Sequence, residues 1–226
     1  MSTIRLTPEE IQKAKGLLAG YFRGHRGQLQ LDGDTDHGCH QQDLFTRVLL
    51  SDERLGDREF LNFLHDEIWA IHESLRFGLL DDIVRQNSVD QIRSAFRSML
   101  ESAASIPDPD AVLALGRRPY IGVSILSEAL AKVFPDRFSI KNKRSEWGLY
   151  FVLRDASPNY VENEMSYAAF ISIAWQLWGI LESEYAARKL RFDSTRRLWY
   201  VDRFYLWIYE RPETKEIMKL QGYSAN

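Results

Sequence analysis

The sequence predicts an all-α protein. Three observations carry that expectation: apolar residues recur at helical spacing along most of the 226 residues, capping sequences punctuate them, and strand-like alternation is weak everywhere, with no repeat period evident. Thr7-Pro8-Glu9-Glu10 sets an N-cap, a first-turn proline and a capping-box glutamate in order. Ile11, Ala14, Leu17, Leu18 and Tyr21 then mark one face of a first helix, expected to end near Gly24 or Gly27. Residues 30 to 39, rich in Asp and Gly, read as a polar loop, after which Leu44, Val48 and Leu49 resume helical spacing. Asp57 is the expected cap of a long helix carrying Phe60, Leu61, Leu64, Ile68, Ile71 and Leu75 and ending near Gly78.

Ser88-Val89-Asp90-Gln91 caps the next helix, which carries Ile92, Phe96, Met99 and Leu100. Ile106-Pro107-Asp108-Pro109 then breaks the chain, because proline disfavours helix both at its own position and at the residue before it. That break divides the sequence into an acidic N-terminal half, residues 1–106, and a C-terminal half, residues 107–226, expected to pack as one unit. The second half continues with a short helix from Asp110 to Leu115, a turn, and an apolar helix through Phe134. Further helices are expected over Trp147 to Leu153, around 165 to 186, and near 194 to 209.

Composition excludes several classes. With 45% hydrophobic and 27% charged residues and a formal net charge of -3, bulk disorder is not expected. The single cysteine, Cys39, forms no intramolecular disulfide and fits a reducing compartment, and Met1-Ser2-Thr3-Ile4-Arg5 begins no signal-peptide pattern, so a cytoplasmic protein is expected. Met165 to Leu181 carries no charged residue but contains Gln176 and is flanked by Glu162, Glu164 and Glu182. It reads as a buried helix and not as a membrane span.

Charge is distributed unevenly. Residues 51 to 82 hold nine acidic side chains against three arginines, whereas between 117 and 144 Arg117, Arg118, Lys132, Arg137, Lys141, Lys143 and Arg144 oppose only Glu128 and Asp136. In the second stretch a proline-led turn at Arg117-Arg118-Pro119-Tyr120 runs into the small residues Gly122 and Ser124, an apolar helix, and a basic loop. Such an arrangement suits a phosphate backbone: Arg117, Arg118, Lys141, Lys143 and Arg144 would neutralise phosphates, and Gly122 and Ser124 would bring main-chain amides close. Phe138 and Ile140 would anchor the loop so that Lys141, Lys143 and Arg144 face outward.

Tyr120-Ile121-Gly122-Val123-Ser124 followed by an apolar helix resembles the hairpin of helix-hairpin-helix DNA-binding segments, over about residues 112 to 134. The resemblance implies phosphate held at a helix N-terminus, with Ser124 in place of that family's second glycine. It implies no glycosylase chemistry, since the family's hairpin lysine has no counterpart. Phe134 to Arg144 resembles loops that follow such hairpins in some restriction-associated proteins.

Other signals point elsewhere. Leu64-His65-Asp66, preceded by His40, resembles the His-Asp pair of HD-type metal phosphohydrolases, but Glu67-Ile68-Trp69 replaces the small residues usual after it. Asp32 to Asp43 opens like an EF-hand loop, with His37 where glycine is required and Asp43 where glutamate is. Three close ligands, His37, Cys39 and His40, do not make a structural zinc site without a second cluster. The aromatics Trp199, Tyr200, Phe204, Tyr205, Trp207 and Tyr209 fall on helical stripes and read as core before they read as base-stacking platforms. No catalytic residue, metal or cofactor is assigned. The expectation is a non-catalytic protein that binds nucleic acid, DNA ahead of RNA; a helical protein-interaction or assembly subunit is the alternative, and a metal phosphohydrolase the third.

Overall fold

The computed structural model describes residues 4–23, 28–51, 55–72, 78–153 and 156–223. Among them are twelve α-helices, one π-helical segment and no strand, in agreement with the all-α expectation. The helices are α1 (Pro8–Arg23), α2 (Gln28–Leu50), α3 (Asp57–Glu67), α4 (Trp69–His72), α5 (Leu79–Gln86), α6 (Val89–Ala103), α7 (Pro109–Gly116) and α8 (Val123–Val133). They continue with α9 (Lys143–Val152), the π-helical segment Tyr160–Glu164, α10 (Tyr167–Ala187), α11 (Arg197–Glu210) and α12 (Pro212–Leu220).

Contacts group the chain into two compact units, one of residues 1–35 with 143–226 and one of residues 36–142. The division therefore does not follow the Pro107 break. Instead α6 and α7 on either side of that break pack against each other, and both meet α8. A Cβ on Gly116 would stand 2.9 Å from the Met99 Sδ and 2.8 Å from a Leu126 methyl, so the missing side chain lets the three helices close.

In the first unit, α9 crosses α11, and α1 and α10 complete the packing. Its core is aromatic: Tyr21, Trp147, Phe170, Tyr185, Tyr200, Phe204 and Tyr205 are all buried. Tyr21 meets Phe204 and Trp207 edge to face, each at 5.5 Å between ring centroids. The aromatic stripes of α11 are thus core, and only Trp207 among them is half-exposed. The apolar α10 lies in this core as expected, and its Gln176 is occupied by the N-terminal segment, accepting the Leu6 N–H at 2.9 Å and donating to the Ile4 carbonyl at 2.8 Å. No described helix is long and apolar enough to cross a membrane.

Residues 30 to 39 are helical, which corrects the expected polar loop. Asp and Gly are poor helix formers, but tertiary contacts override the propensity. Leu31 is buried, the Asp34 carboxylate pairs with Arg203 at 3.1 Å, and the Asp34 carbonyl accepts the Trp199 Nε1–H at 3.0 Å. Next along the helix, a directed chain of hydrogen bonds forms. The Asp193 N–H donates to the Tyr200 hydroxyl at 3.0 Å, and Thr35 commits its one hydroxyl hydrogen to the Leu31 carbonyl at 2.8 Å, which leaves the Tyr200 hydroxyl to donate to Thr35 Oγ1 at 2.8 Å.

Asp193 itself takes the Thr195 N–H and hydroxyl at 2.8 and 2.7 Å and the Arg196 guanidinium at 3.2 Å. Partial burial works to raise its pKa, but the Thr195 bonds and the Arg196 charge outweigh it and hold the carboxyl below the ordinary carboxylate range. A depressed folded-state pKa stabilises the fold above the unfolded value of about 3.9 and loses that contribution as pH falls through the lower folded value. Asp193→Asn should therefore lower stability at pH 7 and close the gap to the unaltered protein as pH approaches 3; urea melts at the two pH values check it, and an equal deficit at both would refute it.

In the second unit, α3 is shorter than expected. Its N-cap is Gly56 and not Asp57, because the Glu59 carboxylate reaches back to the Gly56 N–H at 2.9 Å. The helix ends at Glu67, and α4 restarts after Ile68; Leu75 and the chain to residue 77 lie outside the described residues. The break has a chemical cause. Trp69 and Ala70 donate their N–H groups to the Glu128 carboxylate at 3.0 and 3.1 Å, and Glu128, 1% exposed on α8, pairs with Lys132 at 3.0 Å. Lys132 also donates to the Glu67 carbonyl and lies over the Phe45 ring at 4.4 Å. One carboxylate thus captures the restarted backbone, while its lysine takes the end of the helix before it.

On the far side of α3, two α6 arginines hold the α2–α3 connection. Arg97 donates to the Leu50 and Ser51 carbonyls at the end of α2, and Arg93 donates to the Leu55 and Gly56 carbonyls ahead of α3. Ser88 caps α6 as expected, its hydroxyl accepting the Gln91 N–H while Gln91 returns to the Ser88 N–H. The first helix opens on the same reciprocal pattern between Thr7 and Glu10. Gly24 and Gly27, expected near its end, lie outside the described residues, and α1 is described to Arg23.

Candidate nucleic-acid interface

The seven residues singled out for phosphate contact are not all placed alike. Arg117 and Arg118 are exposed on the connection between α7 and α8, Gly122 is the exposed N-cap of α8, and Ser124 is half-buried in its first turn. These four lie in the second unit. Lys141 lies in it too, but is 5% exposed. Ser127, on the buried face of α8, accepts the Lys141 N–H at 2.9 Å, and its hydroxyl lies 3.3 Å from the Ser124 carbonyl and 3.4 Å from the Lys141 carbonyl. The Lys141 bond holds the loop against the helix, and Lys141 does not face outward as its place in a basic run suggested. Phe138 is buried as expected, and Ile140 is half-buried.

Lys143 and Arg144 belong to the first unit, where they open α9, and both are half-buried. The Lys143 amine stands 5.9 Å from the Tyr223 ring centroid. Of the seven candidates, Arg117, Arg118 and Gly122 are exposed, and they lie together on the connection into α8.

The connection itself is a tight turn. The Ile121 N–H donates to the Arg118 carbonyl at 2.9 Å, and the Arg118 N–H faces the Ile121 carbonyl at 3.5 Å. Pro119 presets the second position, and Tyr120 occupies the third with φ of 63°, the left-handed region in which glycine is the usual resident. The Arg118 side chain curls back to the Arg117 carbonyl at 2.7 Å and the Leu115 carbonyl at 3.4 Å, where its charge suits the C-terminal end of α7. Arg117 extends from the same turn.

Local spacing gave no hint of the residue that supports this turn. Asn87, at the end of α5 and buried, donates from Nδ2 to the Ile83 carbonyl at 2.9 Å and to the Pro119 carbonyl at 3.1 Å. A side chain that reads in sequence as the residue ahead of a helix cap instead braces a turn 32 positions later.

Gly122 has φ of −104°, an ordinary value, and no side chain to cap α8. A Cβ there would meet nothing within 4 Å, so the space beside Gly122 is open. Elsewhere, His65 Nδ1 lies 2.7 Å from the Asp66 carboxylate and both are exposed, with no third ligand: among the described residues, no group of three or more His, Cys, Asp and Glu side chains is arranged to hold a metal ion. Several grooves lie apart from the turn. One, of about 570 Å³, is lined by Leu44, Arg47, Val48, Leu55, Phe63, Asp66 and Glu67 in the second unit. Another, of about 460 Å³, lies in the first unit between the N-terminal segment and residues Leu153, Ser157, Tyr160, Met165 and Ile173. No protein-family model matches the chain, and no curated protein or solved structure matches it.

Proposed function

We propose that this protein binds nucleic acid non-catalytically, through the phosphate backbone, at the Arg117–Gly122 turn and the first turn of α8. The observation that carries the reading is the open, uncapped start of α8 at Gly122 beside the exposed Arg117 and Arg118. Unsatisfied N–H groups and the positive end of the helix dipole favour a phosphate oxygen there, and the arginines add charge. Contacts of this kind read backbone and not base sequence.

Fluorescence-anisotropy titration of labelled duplex DNA and single-stranded oligonucleotides at two or more salt concentrations tests it. Affinity should fall with salt on a log–log plot, with a slope near −0.9 per duplex phosphate neutralised. Arg117→Glu should weaken binding to every sequence and reduce the slope by about one. Equal affinity in Arg117→Glu and the unaltered protein would remove the surface. A stable oligomer without nucleic-acid affinity would favour the assembly-subunit alternative.

A further inference from the structure

The groove of about 460 Å³ in the first unit falls within the size range of small-molecule sites. Leu6, Leu153, Met165 and Ile173 line it and are all buried, so its floor is apolar. Two devices build its walls. The backbone on either side of Arg5 is pinned by Gln176, which accepts the Leu6 N–H at 2.9 Å and donates to the Ile4 carbonyl at 2.8 Å. The second wall includes the π-helical segment, where the Met165 N–H donates to the Tyr160 carbonyl at 2.8 Å, and both residues of that bond line the groove. Such π-turns are rare and occur frequently at functional sites.

Charge at the groove is unevenly matched. The Glu10 carboxylate is engaged, taking the Thr7 N–H at 2.8 Å and attracting the Lys13 ammonium, which itself donates to the Leu153 carbonyl at 3.3 Å. Exposed Arg5 has no ion-pair or hydrogen-bond partner among the described residues, and neither has the Tyr160 hydroxyl. Both residues line the groove. A planar guanidinium engages a carboxylate through two parallel N–H bonds, and a phenol donates one more. We propose that this groove binds a small monocarboxylate with an aliphatic or aromatic body, its head held by Arg5 and Tyr160 and its body lying on the apolar floor. The proposal is independent of the phosphate reading, which concerns the other unit.

Isothermal titration calorimetry of the full chain with octanoate tests it, with octanol and octyltrimethylammonium as the neutral and cationic molecules of equal body. Octanoate should bind saturably, once per chain, with the negative heat-capacity change of apolar burial. Octanol should bind about fivefold more weakly, the upper end for an exposed ion pair, and octyltrimethylammonium more weakly still. Arg5→Gln, at an exposed and unpaired position, should fold normally and lose the preference for octanoate over octanol. Ala156→Trp, which fills the groove, should abolish binding of both. Absence of saturable octanoate binding would overturn the site. Octanol bound as tightly as octanoate, or octanoate affinity undiminished in Arg5→Gln, would overturn the carboxylate reading whether or not Ala156→Trp folds.

Discussion

Gly148→Ala should destabilise the first unit by about 3 kcal/mol, the upper part of the range for overpacking a close-packed interface. Gly148 lies on α9 where it crosses α11, and a Cβ there would sit 2.7 Å from the Tyr205 Cα, 2.8 Å from its Cβ and 2.9 Å from its Cδ1. Backbone cannot rotate aside as a side-chain tip can, so the two helices must separate. Separation would loosen the packing of the neighbouring Trp147 and of Tyr209, which cluster with Met218 in the core. Gly179→Ala on α10 provides the control. A Cβ there meets nothing within 4 Å, so the only effect is improved helix propensity, about 0.5–1 kcal/mol in favour of the variant. Urea denaturation read by tryptophan fluorescence separates the two signs, and a neutral Gly148→Ala would show that α9 and α11 are not held at this distance.

Glu128→Ala should cost more, about 3–5 kcal/mol, since it removes one partner of a buried ion pair. The loss has two parts. Lys132 is left charged in a buried site, and the Trp69 and Ala70 N–H groups lose the carboxylate that ends α3 and starts α4. Total stabilities of 5–15 kcal/mol are usual for a domain, so the single variant approaches unfolding. Adding Lys132→Met should recover part of the loss, because the methionine keeps an apolar stem beside Phe45 without the stranded charge. A double variant as unstable as the sum of the two singles would show that the pair is not coupled.

Local chemistry was legible in the sequence. Thr7 with Glu10 and Ser88 with Gln91 satisfy each other within three residues, so their spacing alone marks where α1 and α6 begin. The start of α3 was misread by one position because Glu59 reaches Gly56, a residue with no side chain to advertise a cap. The helices Leu79–Gln86 and Pro212–Leu220 went unassigned. They are short, and short helices owe their stability to packing more than to propensity.

The turn at Arg117–Gly122 was also legible, since proline, glycine and paired arginines are local signs. Its support was not. Asn87 reaches Pro119 across 32 residues, and Ser127 reaches Lys141 across 14. The second contact accompanies the burial of a lysine expected at the surface, and so removes Lys141 from the exposed candidates. The break at Ile68 likewise depends on Glu128, 59 residues from Trp69.

By itself, then, the sequence determined the all-α class, the starts of α1 and α6 and the basic turn, because periodicity, capping and turn chemistry act between residues a few positions apart. Only the tertiary structure decided that residues 30 to 39 are helical, that the chain divides at 35/36 and 142/143, and which basic side chains meet solvent. Those outcomes depend on partners distant in sequence, whose burial and hydrogen bonds outweigh local propensity.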